Sequence, residues 1–120
     1  MKVIHQNNGQ VIATDVKEAF SFWKRLKGLL FTSKLGDQDG LYLFPCSSIH
    51  TFFMKYPIDV VYLSDDHVVL ATEEKLQPWK TGKRVKEAKA VIELAEGKVA
   101  KEKIQPGQKL IYDALMKKSG

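Results

Sequence analysis

The chain has 120 residues, of which 44% are hydrophobic and 28% are charged, and its formal net charge is +5. This length and composition predict one domain, residues 1–120, with a single hydrophobic core, and they exclude an intrinsically disordered chain. The single cysteine, Cys46, excludes an internal disulfide framework and any multi-cysteine zinc or iron–sulfur site.

A hairpin and a helix are predicted at the start of the chain. Residues 3–4 and 10–14 are short apolar runs on either side of residues 7–9, which contain an Asn–Gly pair typical of a β-hairpin. Apolar residues then recur at helical spacing, which predicts a helix over residues 21–27. Residues 16–20 fit either the first turn of that helix or an extended segment.

The rest of the chain consists of short apolar runs separated by turn residues, as in a β-rich protein. Strands are predicted over residues 41–44, 49–54, 58–63, 67–73, 88–94 and 109–114, and a short helix over residues 97–103. In total, about seven short strands and one or two short helices indicate an α+β fold whose strands are mostly antiparallel. Such a sheet tends to curl into a barrel-like form, because closure removes exposed edge strands.

Polar and reactive side chains are concentrated in residues 46–59, within an otherwise apolar stretch. Several polar groups beside an apolar wall are typical of a small ligand pocket. The predicted ligand-binding residues are Arg25, Cys46, His50, Thr51, Met54 and Asp59.

The alternation of side chains along a strand sharpens this prediction. If residues 49–54 are extended, alternate residues from His50 to Met54 share one face. Asp59 lies in a predicted strand that is apolar on both faces, so its carboxylate needs a partner. Arg25, Lys55, the His50 ring and nearby backbone amides are the candidates for that partner, and Arg25 is favoured because its guanidinium can bind a carboxylate in a bidentate way.

Five groups of residues, in order along the chain, resemble the pattern of the family called domain of unknown function 192. They are Arg25 with Gly28, Leu29 and Leu30; Phe52, Phe53 and Met54; Pro57, Ile58 and Asp59; Glu93 and Gly97; and Gly107. The resemblance covers roughly residues 19–112, and the cysteine and histidine of residues 46–50 are similar to one branch of the family. It implies a β-rich domain and implies no activity.

The first functional hypothesis is a non-enzymatic binding or accessory module, which holds an unknown small molecule or contacts a protein through a groove. The alternative is an enzyme that uses Cys46 as nucleophile, His50 as its base and Asp59 to orient the base. Cys46 and His50 are also a candidate metal pair, but a zinc site needs three or four ligands, so we expect neither a metal nor a cofactor.

Positive charge is concentrated in the second part of the chain. Residues 75–120 carry 12 basic and 5 acidic side chains, net +7, whereas residues 1–74 carry 7 basic and 9 acidic, net −2. This charge indicates either a solvated loop, which we favour, or a nucleic-acid-binding module. Trp79 is the only aromatic residue near these cations, whereas a single-strand binder combines several aromatic residues. The candidate nucleic-acid-binding residues are Lys75, Lys80, Lys83, Arg84, Lys86 and Lys89.

Neither a membrane segment nor an export signal is predicted. No apolar run approaches the roughly 18–20 residues that a membrane helix needs. Residues 5–8 are polar, so the apolar region of a signal peptide is missing. We therefore expect a soluble, cytoplasmic monomer that does not contact a membrane.

Overall fold

The described part of the chain contains eight strands and one short helix, which are joined by turns and loops. The computed structural model describes residues 2–5, 8–19, 35–52 and 54–113. The strands are β1 (Lys2–His5), β2 (Val11–Ala13), β3 (Asp15–Ala19), β4 (Asp39–Leu43), β5 (Ile58–Leu63), β6 (Val69–Leu76), β7 (Ala90–Ala95) and β8 (Leu110–Asp113), and the helix is α1 (Lys98–Lys101). Within these ranges, no helix has the length and apolar character needed to cross a membrane.

The described strands form two sheets. One has three strands in the order β2–β1–β8, and the other has five strands in the order β3–β4–β7–β5–β6. Every described strand pair is antiparallel except β3 with β4. The β-rich, mostly antiparallel architecture is therefore confirmed. Neither described sheet closes on itself, so the barrel-like curl stays a prediction.

One face of the five-stranded sheet is covered by the three-stranded sheet and by α1, and we call it the closed face. Val61 of β5 and Ile92 of β7 belong to the same buried cluster as Val3 of β1 and Val99 of α1. Alternate residues of a strand point to opposite faces, so every second residue of β5 and β7 contributes to this cluster. Burial of these apolar side chains is the main favourable contribution to folding.

The opposite face is covered by chain outside the strands, and we call it the loop face. Val60 of β5 and Val91 of β7 cluster here with Cys46 and Ile49, and Val85 packs against them. All six residues of β5 are buried, as its apolar sequence predicts. The five-stranded sheet therefore lies between two apolar layers of different construction.

Helix α1 is short and is held in place by a side chain on β5. Gly97 precedes it with a φ angle of 91°, a left-handed conformation that glycine adopts without steric strain. The Asp59 side chain on β5 is fully buried, and its Oδ2 accepts a hydrogen bond of 2.8 Å from the Val99 N–H. Its Oδ1 accepts one of 2.9 Å from the Lys75 N–H, at the end of β6. One carboxylate therefore fastens both α1 and β6 to β5.

Most of the predicted elements that fall in the described residues are confirmed. The pairing of β1 with β2 confirms the hairpin, and β3 confirms the extended alternative for residues 16–19. Strands β5 and β6 confirm the strands predicted over residues 58–63 and 67–73, and they pair as antiparallel neighbours. The predicted helix over residues 21–27 lies outside the described residues.

The predicted strand over residues 49–54 is wrong. Among its described residues, His50 forms one isolated bridge with Thr81 and no strand follows. The Met54 N–H donates a hydrogen bond of 3.1 Å to the Thr51 carbonyl, so the chain turns there. The aromatic and apolar composition of this segment suits a strand. However, the segment that lies beside it, residues 79–85, offers its backbone hydrogen-bonding groups at irregular intervals, so no regular pairing forms.

Candidate functional site

The basic segment lies against residues 46–52 and is fastened to them. We call residues 46–52 together with residues 77–89 the ribbon. Five backbone hydrogen bonds of 2.8–3.0 Å join its two segments; donor first, they are Cys46 to Lys89, Val85 to Ser47, Gly82 to Ile49, Thr51 to Lys80 and Trp79 to Thr51. The ribbon therefore forms a fixed layer over the loop face.

Thr51 anchors one end of the ribbon. Its side chain is fully buried. The Oγ1 hydroxyl donates a hydrogen bond of 2.6 Å to the Gln77 carbonyl and accepts one of 2.9 Å from the Lys80 N–H. These bonds fix the turn between Gln77 and Lys80, which carries Trp79.

A close approach at Gly82 anchors the middle of the ribbon. The hydroxyl of Tyr62 and the N–H of Lys83 each donate a hydrogen bond of 2.6 Å to Glu73 Oε1. Burial, together with the Glu73 carboxylate, raises the pKa of Tyr62 far above its usual value. A Cβ atom at Gly82 would lie 2.8 Å from the Tyr62 hydroxyl oxygen, so only glycine fits here without a shift.

Three aromatic rings from the two segments of the ribbon stack on the protein surface. The rings of His50 and Phe52 have centroids 4.7 Å apart at an interplanar angle of 29°, and those of Phe52 and Trp79 are 6.0 Å apart at 23°. Trp79 is 59% exposed, Phe52 is 40% exposed, and His50 is exposed as well. We call these three residues the aromatic stack.

The aromatic stack was missed by sequence reasoning because its members come from segments 27 positions apart. The sequence did contain a signal for two of the three members, since His50 and Phe52 alternate with Ile49 and Thr51, which are buried. Nothing in the sequence near Trp79 showed that other rings would lie beside it.

All six cations of the predicted nucleic-acid-binding set are exposed. None of them forms an ion pair with a carboxylate among the residues that the structure describes. Lys80 directly follows Trp79 in the chain. The cations between residues 83 and 89 lie further along the same segment of the ribbon. Lys75 lies at the end of β6, where its N–H binds Asp59.

A cleft of about 340 Å³ opens at the other end of the ribbon. Its lining contains two lysines, two serines and the single cysteine; the residues are Pro45, Cys46, Ser47, Ser48, Lys86, Ala88 and Lys89. The Cys46 side chain is buried, and its Sγ donates to the Ser48 carbonyl at 3.0 Å. The cleft thus brings one residue of the predicted ligand-binding set together with two of the predicted nucleic-acid-binding set.

The structure separates the other predicted ligand-binding residues. His50 belongs to the aromatic stack, Thr51 is engaged inside the ribbon, and Met54 lies in the buried cluster of the loop face. Asp59 is buried with both carboxylate oxygens bound by backbone amides. Arg25 lies outside the described residues.

The Cys46–His50–Asp59 arrangement of the enzyme alternative is not assembled. Asp59 shares its face of β5 with Val61, which belongs to the closed-face cluster, whereas Cys46 packs on the loop face. His50 Nδ1 accepts a hydrogen bond of 3.3 Å from the Phe52 N–H. The described residues also contain no group of three or more His, Cys, Asp or Glu side chains placed to hold a metal ion.

The family is decided by a match over nearly the whole chain. The model of the family DUF192, described as an uncharacterized ACR, matches residues 3–112. The chain belongs to the DUF192 family. The UPF0127 protein of Thermococcus sibiricus (strain DSM 12597 / MM 739) is 31% identical over 100 residues, which cover 79% of this chain and 64% of that protein. The chain therefore matches a little under two thirds of the length of that relative.

Two solved structures share the fold. A protein of unknown function from Novosphingobium aromaticivorans DSM 12444 has a TM-score of 0.73 at 21% identity, covering 93% of each chain. A protein from Sinorhizobium meliloti 1021, described as a "putative transcription regulator", has a TM-score of 0.72 at 18% identity, covering 92% of this chain and 89% of that one. At these identities, the likeness shows the fold alone. The function of the DUF192 family is uncharacterised, and the names of these related proteins mention no enzymatic activity.

Several residues that carry the DUF192 resemblance have structural positions. Gly97 and Gly107 adopt φ angles of 91° and 94°, which a residue with a side chain adopts only under strain. Asp59 fastens β6 and α1 to β5. Glu93 of β7 points to the loop face, and burial raises the pKa of its carboxyl to about 7. The positions of Asp59, Gly97 and Gly107 are therefore explained by the fold.

Proposed function

We propose that this member of the DUF192 family is a non-enzymatic binding module whose cleft binds a small anionic ligand. The observation that carries this proposal is the cleft itself. Its volume of about 340 Å³ lies within the range of roughly 300–1,000 Å³ that small-molecule sites occupy. Of the six ligand-binding residues predicted from the sequence, the lining of this cleft contains Cys46.

The lining of the cleft favours negative charge. Lys86 and Lys89 contribute two cations, Ser47 and Ser48 contribute hydroxyl donors, and the lining has no carboxylate. A phosphate or carboxylate group that contacts both lysines forms charge-assisted hydrogen bonds, which are stronger than neutral ones. The small apolar surfaces of Pro45 and Ala88 leave room for a short carbon skeleton beside the anionic group.

The walls of the cleft are fixed before a ligand arrives. The Cys46 N–H binds the Lys89 carbonyl at 2.9 Å, and the Lys89 N–H binds the Leu63 carbonyl of β5 at 2.8 Å. The Ala88 N–H binds the Val85 carbonyl at 2.9 Å. A preformed site loses less conformational entropy on binding than one that must order its loops, which favours affinity.

Titration of the 15N-labelled protein with inorganic phosphate, pyrophosphate and citrate, each in a separate series, tests the proposal. At least one of these probes is expected to shift the amide signals of residues 45–48 and 86–89 at concentrations that leave the other signals unchanged. Replacement of both cleft lysines, Lys86→Gln with Lys89→Gln, is expected to weaken that binding about tenfold or more.

The control replaces two exposed lysines outside the ribbon, Lys103→Gln with Lys109→Gln, which changes the net charge equally. Equal affinity in the two double variants, or shifts spread over all lysine-rich surfaces, would overturn the proposal.

We also propose that residues 1–120 form a single domain with a barrel-like curl. The protein is further proposed to be a monomer and to be located in the cytoplasm.

A further inference from the structure

We propose that the aromatic stack and the cations beside it bind single-stranded nucleic acid. This surface lies outside the cleft lining, requires different residues, and goes beyond the function proposed above. Its partner would be an unpaired segment of DNA or RNA whose bases stack on the exposed rings and whose phosphates contact the lysines.

The geometry of the rings suits unpaired bases. Neighbouring rings of the aromatic stack are inclined by only 29° and 23°, so His50, Phe52 and Trp79 form one stacked row, which a base can extend at the end where Trp79 is 59% exposed. Proteins that bind single strands without sequence preference offer such rings, because every base has a flat face that stacks on them. Exposed aromatic residues grouped in this way also seldom occur without a binding role.

The stack is held in position by the fold. Trp79 has a φ of 62°, a conformation that a residue with a side chain adopts only when its surroundings impose it. The Trp79 N–H donates to the Thr51 carbonyl at 3.0 Å, and the Thr51 hydroxyl binds the residues on either side of the turn. The indole is therefore presented outward from a fixed turn, and little ordering is needed when a base stacks on it.

The charge around the stack is complementary to a phosphate backbone. Lys80 is next to Trp79 in the chain, and Lys83 and Arg84 follow on the same segment of the ribbon. All three side chains are exposed, and no carboxylate of a described residue pairs with them. A strand whose bases stack on the rings would bring its phosphates towards these cations.

Single strands are favoured over duplexes because an aromatic ring can stack only on a base whose own face is free. Duplex recognition through the major groove instead uses an α-helix or a two-stranded β-ribbon that enters the groove, and aromatic stacking has no part in it. Helix α1, the one helix in the described part of the chain, has four residues, and its second residue, Val99, packs in the core. In a duplex the base faces are already stacked on each other, so the aromatic stack would have nothing to bind.

The test measures fluorescence anisotropy of labelled oligonucleotides of about 12 nucleotides, which matches the site size of small single-strand binders. Oligo-dT, oligo-rU and a duplex of the same length are compared at low salt, about 50 mM. We expect both single strands to bind and the duplex to bind at least about tenfold more weakly. Duplex binding equal to single-strand binding would overturn the proposal, as would a lack of single-strand binding at low salt.

Substitution of the indole separates stacking from general attraction between opposite charges. Trp79→Ala is expected to weaken single-strand binding about tenfold or more, whereas Trp79→Phe retains most of the affinity. The matched control is Ile111→Ala, which removes an exposed apolar side chain from β8 and leaves binding unchanged. Unaltered affinity in Trp79→Ala would overturn the proposal. A urea-unfolding curve of Trp79→Ala that matches the wild type excludes misfolding as the cause of a loss.

The cations are tested by the salt dependence of binding. Lys83→Gln with Arg84→Gln is expected to reduce the slope of log K against log salt by about 1.4, because each phosphate contact on a single strand contributes about 0.7. Lys103→Gln with Lys109→Gln removes equal charge outside the ribbon and should leave the slope unchanged. Equal slopes in the two double variants would overturn the role of the ribbon cations. Because phosphate titration of the cleft does not involve Trp79, the two proposals can fail separately.

Discussion

The two faces of the five-stranded sheet solve the same electrostatic problem in different ways. Among the described strands of this sheet, β5 places the buried carboxyl group of Asp59 on the closed face and β7 places that of Glu93 on the loop face. Asp59 accepts hydrogen bonds from two backbone amides, whereas burial raises the pKa of Glu93 to about 7. Hydrogen bonds from donors stabilise a buried carboxylate, whereas removal of water from around a carboxyl group favours its protonated form.

The two faces also differ in the structure that covers them. The closed face is sealed by a second sheet and by α1, and Asp59 joins three elements there. The loop face is covered by the ribbon, whose outer surface displays the aromatic stack and the cleft. The exposed aromatic stack and the cleft therefore both lie on the loop-face side of the sheet.

The largest expected effect on stability comes from Asp59→Asn. The amide can accept only one of the two backbone hydrogen bonds and would turn its own N–H groups towards the other donor. We expect the free energy of unfolding to fall by about 2–4 kcal/mol. Urea unfolding followed by circular dichroism measures this change.

Asp65→Asn is the control for that experiment, because Asp65 is exposed in the turn between β5 and β6. Its expected effect is within about 0.5 kcal/mol. A loss below about 1 kcal/mol in Asp59→Asn would contradict the role assigned to this carboxylate on the closed face.

The next effect is a pH dependence that originates at Glu93. Its pKa in the folded protein is about 7, above the ordinary value of 4.5, so the folded state binds the proton more tightly than the unfolded state. Stability from this group is fully present below about pH 4.5 and is lost as the pH rises to about 7. Glu93→Gln should remove this loss, which amounts to at most about 3 kcal/mol.

The measurement compares unfolding free energies of the wild type and Glu93→Gln at several pH values between 4 and 8. The difference between the two proteins isolates Glu93 from His67, whose pKa is lowered by burial and which therefore acts in the opposite direction. A constant difference across this pH range would show that Glu93 has a partner as effective as those of Asp59.

The smallest expected effect on stability belongs to Thr51→Val, on the loop-face side. Valine keeps the shape of threonine but removes the hydroxyl that binds Gln77 and Lys80. We expect a loss of about 1–2 kcal/mol in urea unfolding. Single-strand binding should fall by a larger factor than in the exposed control Thr14→Val, because the turn that presents Trp79 loses its anchor. Full binding in Thr51→Val would show that this anchor is dispensable.

Local patterns were sufficient to predict most of the described strands. The apolar residues on both faces of residues 58–63 predicted a strand that is buried on both sides apart from Asp59, and the Asn–Gly pair predicted the hairpin at the start of the chain. Backbone amides were among the predicted partners of Asp59. Which amides they are could not be predicted, because Lys75 and Val99 are 16 and 40 positions away in the chain.

The candidate site was harder to predict, because it depends on how two distant segments meet. The density of polar residues in residues 46–59 suggested one pocket, but successive side chains are divided between the interior and the surface. His50 points outward while its neighbour Thr51 is buried. The ring that completes the aromatic stack comes from Trp79, and the lysines of the cleft come from the same distant segment.

The pairing of β1 with β8 bears on how the protein is made. Lys2 is paired with Asp113, so the three-stranded sheet joins the earliest and the latest of the described strands. On the ribosome, the hairpin of β1 and β2 emerges before the other described strands, and an isolated two-stranded hairpin is only marginally stable in water. The closed face is therefore completed only after β8 has been synthesised, and until then the nascent chain exposes Val3 and Ile12 to chaperones.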